Sequence, residues 1–108
     1  MVHERVLSIG YDHPALAGHF PGCPIVPGVV LLNEVFETLR CGSTASLVVT
    51  GLPMVKFSSP LRPGEVVTIR VDEEGAGQAT FSCQVEARLI ASGAIEFTPG
   101  TEAQAERA

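Results

Sequence analysis

A single histidine, His19, stands among residues that restrict the backbone, Gly18-His19-Phe20-Pro21-Gly22, eight positions ahead of a Pro27-Gly28 pair that opens an apolar run. A ring held in a rigid loop near a helix start lies close to backbone N–H groups and to the positive end of the helix dipole. That pairing suits removal of a proton next to a carbonyl. The imidazole takes the proton, and the N–H donors hold the oxygen that gains negative charge. The simpler role for a lone histidine is to cap a turn. His13, followed by Pro14, is expected to shape the loop, and His3 to sit in a frayed terminus.

Holding such groups in place takes a loop, a helix and something for the helix to pack on. Residues 10–28 carry four glycines and four prolines, too many breakers for regular structure, so a long shaped loop is predicted there. From Val29 onward Val29, Val30, Leu31, Leu32, Val35, Phe36 and Leu39 recur at helical spacing, predicting a buried helix over about residues 28–41. Pro27 suits its start and Gly42 its stop. Short β-branched or alternating runs predict strands at Arg5–Ile9, Ser46–Thr50, Met54–Phe57, Glu65–Val71, Gln78–Ala87 and Arg88–Phe97. Tight connections at Pro60–Gly64 and Glu73–Gly77 make neighbouring strands antiparallel. The expected fold class is α+β, a long central helix wrapped by an antiparallel sheet, in one domain over 1–108 with a flexible tail from about residue 99.

Composition narrows the partners. At 108 residues there is material for one core, and 7 basic against 12 acidic residues leave a net charge of -5, which repels nucleic-acid phosphates. No run approaches the roughly 18 apolar residues of a membrane span, and Met1-Val-His-Glu-Arg5 has no apolar leader core, so a cytoplasmic protein is expected. Cys23, Cys41 and Cys83 are widely spaced with no Cys-x-x-Cys pair, and are read as reduced and mostly structural, with no zinc site.

The stretch Gly18-His-Phe-Pro-Gly-x-Pro-x-x-Pro-Gly-Val29 resembles the active-site signature of the bacterial 3-hydroxyacyl-acyl-carrier-protein dehydratases, the hot-dog enzymes of fatty-acid synthesis. Met54-Val-Lys-Phe-Ser-Ser-Pro-Leu-Arg-Pro-Gly-Glu65 is similar to that family's later Lys-Phe-x-x-Pro-x-x-Pro-Gly-Asp segment, and most of residues 6–98 then fall into register. The resemblance implies a hot-dog fold and an acyl thioester substrate, on acyl-carrier protein or coenzyme A, with no metal and no redox cofactor. It makes His19 the group that acts on the C2 proton, gives the carbonyl to the N–H groups of Gly28 and Val29, and adds Phe20 to the substrate-binding residues. It also implies a homodimer or higher oligomer, the histidine of one subunit meeting the helix acid of the other.

One position departs from the pattern. The family's acid lies fourteen residues after the histidine, and here that residue is Asn33, which can hydrogen-bond a hydroxyl or a water but is no proton donor of carboxylic-acid strength. Glu34 is rotated by about 100° around the helix and is expected to point elsewhere. Loss of a general acid costs on the order of 10² to 10⁴ in rate. Asn33 is therefore compatible with a weakened dehydratase, with a heterodimer in which a related hot-dog subunit supplies the acid, or with a non-catalytic acyl-thioester-binding module. A thioesterase is more distant, since hot-dog thioesterases usually carry a carboxylate on the helix. Glu37 and Arg40 are expected to form a surface pair, and Lys56, Arg62 and Arg70 are assigned no site.

Overall fold

A computed structural model describes residues 2–10, 25–42, 47–75 and 77–99. In chain order these form β1 (Val2–Ser8), α1 (Gly28–Gly42), β2 (Leu47–Phe57), β3 (Val66–Glu73), β4 (Gln78–Val85) and β5 (Arg88–Pro99). The five strands make one antiparallel sheet in the order β1-β3-β4-β5-β2, and α1 packs against β1, β2 and β3. The α+β plan and the antiparallel pairing are as the sequence predicts.

The core forms because two periodicities face each other. Along α1 the buried residues Val30, Leu31, Val35, Thr38 and Leu39 fall on one side at intervals of three and four. Along β3 and β4 every second residue is buried, which brings Val67, Ile69, Val71, Ala79, Phe81 and Cys83 to the helix side of the sheet. Ile90, Ala91, Ile95 and Phe97 of β5 complete the layer. Thr38, the polar residue in this set, gives its hydroxyl to the Glu34 carbonyl at 2.8 Å, so it enters the core satisfied. Burial pushes the Cys83 thiol up to about 12, which makes it inert packing, whereas Cys41 is exposed.

Four expectations change. The runs at 46–50 and 54–57 are one strand: β2 continues through Gly51-Leu-Pro53 with irregular register between Val49 and Gly51 and between Gly51 and Met54. A proline is tolerated there because β2 is at the sheet edge and has a partner on one side. β4 ends at Val85, not Ala87, because Glu86 takes a left-handed turn conformation (φ 53°) after a register shift at Cys83/Gln84. His3 is not frayed. It pairs with Val71 in β1, and its Nε2 meets the Glu73 carboxylate at 2.5 Å. Lastly, the sheet leaves one side of α1 open, with Val29 74% exposed and Asn33 and Arg40 exposed as well.

Gly93 shows how closely β2 and β5 pack. A Cβ at that position would run into the backbone carbonyl of Met54 and come within 2.9 Å of the Phe81 ring. We expect Gly93→Ala to destabilise the fold by about 2–3 kcal/mol, read as a lower urea midpoint with unchanged slope. An unchanged midpoint would mean that the two strands are not held this tightly.

Candidate active site

The functional geometry starts at the first turn of α1. Pro27 ends the extended segment, and its carbonyl takes the N–H groups of Val30 at 3.0 Å and Leu31 at 3.4 Å. The N–H groups of Gly28 and Val29 come before these first intrahelical bonds, as the opening amides of any helix do. No acidic residue stands in the first turn, so this positive helix end has no carboxylate of its own to offset it. Two N–H groups and an unneutralised dipole are what a developing oxyanion needs.

Beside this turn lies a cleft of about 400 Å³, lined by Ile25, Val26, Gly28, Leu31, Phe57 and the segment Ser58-Ser-Pro-Leu61. Its walls are mostly apolar, and a few polar groups lie close to the helix start, the usual make-up of a small-molecule site. Phe57, at the end of β2, lays its ring on the helix start: a Cβ on Gly28 would lie 2.7 Å from Cζ of that ring. Glycine is needed here for this close approach. Its surroundings, rather than its own φ, set the requirement.

The wall opposite the helix is tied down by backbone bonds. Ser58 and Ser59 donate to the Ile90 carbonyl at 2.8 and 3.3 Å, Val26 donates to the Leu61 carbonyl at 2.8 Å, and Gly64 donates to the Ile9 carbonyl at 2.8 Å. The Pro63-Gly64 turn closes through Glu65, whose Oε1 accepts the Arg62 N–H at 2.8 Å and whose Oε2 accepts Arg88 Nη2 at 2.6 Å. Gly64 has φ 87°, the left-handed conformation that glycine adopts without strain. The Arg62 N–H, more than the Arg88 guanidinium, holds the Glu65 carboxyl below the usual glutamate range, against the opposing effect of burial.

Asn33 lies four residues after Val29, on the same exposed side of the helix, and is not among the residues lining the cleft. Glu34 is turned away, as expected. Arg5 of β1 donates through Nη2 to its Oε1 at 2.5 Å and to its carbonyl at 2.9 Å. Glu37 and Arg40 form the expected surface pair at 2.9 Å. Of the residues singled out in the sequence, Gly28, Val29 and Asn33 stand together on the first two turns of α1. His19, Phe20, His13 and Cys23 lie outside the described residues. Sequence reasoning missed Phe57 and the wall from Ser58 to Leu61 as cleft residues. The signal was present in the second family-like segment, Met54–Glu65, which contains Phe57 and Ser58–Leu61.

Comparison with known proteins agrees with this geometry. A hot-dog-like protein from Thermanaerovibrio acidaminovorans superimposes with a TM-score of 0.76 over 99% of this chain and 86% of its own at 13% identity, which shows the hot-dog fold. The dehydratase heterocomplex ApeI:P from Xenorhabdus doucetiae matches with a TM-score of 0.78 at 26% identity, covering 88% of this chain and 87% of that one. In sequence, the 3-hydroxyacyl-[acyl-carrier-protein] dehydratase FabZ of Chlamydia trachomatis is 30% identical over 105 residues, covering 83% of this chain and 67% of that protein. The sequence model of the ApeI-like family, described as ApeI dehydratase, matches residues 3–94, and the chain belongs to this family.

Since the folded-state carboxyl of Glu65 is lowered, its contribution to stability is present above the ordinary glutamate range and lost as pH falls through the depressed value. The stability gap between the wild type and Glu65→Gln should therefore narrow when urea unfolding is repeated from neutral pH into the region below that range. A gap that stays constant would show that the carboxylate charge contributes nothing.

Proposed function

We propose that the protein is a dehydratase of 3-hydroxyacyl thioesters, carried on acyl-carrier protein or coenzyme A, and that it converts them reversibly to trans-2-enoyl thioesters and water. The observation that carries this reading is the start of α1, where Gly28 lines a largely apolar cleft and no acidic residue stands in the first turn. Membership of the ApeI-like family supports it. The thioester carbonyl accepts from the Gly28 and Val29 amides. His19 removes the C2 proton, charge builds on the carbonyl oxygen, and the C2–C3 double bond forms as the C3–O bond breaks, the leaving hydroxide taking the proton that His19 now carries and departing as water. Phe20 is assigned to substrate binding beside His19. Asn33 orients the departing hydroxyl, or a water next to it, by hydrogen bonding.

The reading extends to assembly. Val29 and Asn33 are exposed in the isolated chain, and β2 is a sheet edge whose outer groups have no strand partner among the described residues. A second hot-dog subunit pairing edge to edge along β2 would cover both, and would bring its own loop to the Asn33 side of this helix. A related but different subunit is the second reading. It is favoured by one finding, the likeness to a dehydratase heterocomplex.

Hydration of crotonyl and longer enoyl thioesters by the purified chain tests this directly, run beside His19→Ala and Asn33→Asp. We expect turnover that falls at least about 10²-fold in His19→Ala and rises in Asn33→Asp. Turnover that appears only after adding a related hot-dog subunit would select the heterodimer. No turnover in either setting, with or without Asn33→Asp, would overturn the dehydratase reading.

A further inference from the structure

The segment Ser58–Leu61 forms a wall of the cleft, and four residues further on the Glu65 carboxylate ties the following turn to β5. We propose that Glu65 is a positioning residue for the oxyanion site: through the Pro63-Gly64 turn it sets where the Leu61 carbonyl lies, and through Leu61 where the start of α1 lies. This rests on the dehydratase reading above for its chemistry, though not for its geometry.

The linkage is short and each step is a named contact. Glu65 Oε2 accepts from Arg88 at the head of β5, and Oε1 accepts the Arg62 N–H, while the Glu65 N–H returns to the Arg62 carbonyl at 3.2 Å. The turn is thereby closed on itself and fixed to the sheet. Leu61 is 3% exposed and Pro63 is buried, so their side chains seat the turn in the core. The Leu61 carbonyl then takes the Val26 N–H at 2.8 Å, two residues ahead of Gly28. Val26 is itself buried, so a displaced turn moves the residue that delivers the chain into the helix.

The consequence for chemistry comes from how narrow the tolerance is. Donors to a developing oxyanion work when held within about 0.5 Å of their productive position, and a displacement of about 1 Å costs on the order of 10² in rate. The Gly28 and Val29 amides depend on Val26 for their placement on the loop side, as the rest of α1 is placed by its core contacts. If the Glu65–Arg88 pair were only a partly exposed ion pair, its loss would lower stability slightly and leave catalysis alone. The two roles therefore predict different measurements.

The test compares wild type, Glu65→Ala, Glu65→Gln, Arg88→Ala and the Glu65→Ala/Arg88→Ala double variant, with Arg40→Ala as a surface control. Enoyl thioester hydration is measured at a temperature where circular dichroism shows each variant folded. Backbone amide resonances of Val26, Gly28 and Val29 are followed in the same 15N-labelled proteins. We expect kcat to fall about tenfold in Glu65→Ala with little change in KM, because misplaced oxyanion donors act on the transition state. Glu65→Gln, which keeps an acceptor for the Arg62 N–H, should recover part of the loss, and the double variant should be no worse than Glu65→Ala. The three amide resonances should move in Glu65→Ala and Arg88→Ala and stay in place in Arg40→Ala. A kcat within twofold of wild type in folded Glu65→Ala, with only a lower melting temperature, would overturn the proposal. Should Glu65→Ala fail to fold, Glu65→Gln and Arg88→Ala carry the comparison. A wild type without turnover would count against the dehydratase reading, and this proposal would then stand or fall on whether the Val26 and Gly28 resonances move.

Discussion

The apolar side of α1 is the constraint on which the rest of the structure depends. Val35 and Leu39 are fully buried and Leu31 nearly so, against Val67, Ile69 and Val71 of β3, themselves without exposed surface. Each such side chain contributes about 1.5–3 kcal/mol when buried, far more than any surface ion pair of this protein. Once these residues face the sheet, the rotation of the helix is decided. Gly28 and Leu31 are turned to the cleft, Glu34 to Arg5, and Val29 and Asn33 to the open side.

That rotation bears on the proposed chemistry. Glu34 is one residue from the position where the family places its acid, and turning the helix by about 100° would bring it round. Such a twist would drag Val35 and Leu39 out of the core and break the two bonds from Arg5, one of which goes to the Glu34 backbone itself. Arg5 thus reads the helix position as well as the charge. In the proposed reaction Asn33 contributes orientation, since an amide is no proton donor of carboxylic-acid strength.

The elements that the sequence announces most clearly are those whose burial follows a simple period. The spacing of Val30, Leu31, Val35 and Leu39 placed α1 to within a residue, and alternation placed β3 and β4. The errors came where topology overrides local signals. Gly51 and Pro53 look like a break, yet an edge strand accommodates both, and nothing local tells an edge from a centre. His3 looked terminal because its partners, Val71 in the ladder and the Glu73 carboxylate, are far along the chain. For the site, Gly28 was singled out through the motif and lines the cleft, whereas Phe57 was missed because its contact with Gly28 is a matter of tertiary approach. The role assigned to Glu65 was hidden in the same way, in a carbonyl that accepts from Val26, 35 residues back.

The open side of α1 and the free edge of β2 belong together. Phe57 terminates β2 and touches Gly28, so the edge strand runs directly to the helix start. Val48, Leu52, Met54 and Phe57 are exposed along that strand, as is Val29 on the helix, an apolar margin that a solitary domain gains nothing by displaying. In the proposed assembly a partner strand pairs with β2 and covers this margin, and the same placement sets the partner's loop beside Asn33. An active site divided in this manner would make assembly a condition of turnover, and would let one subunit hold the thioester carbonyl while another supplied the acid that Asn33 does not.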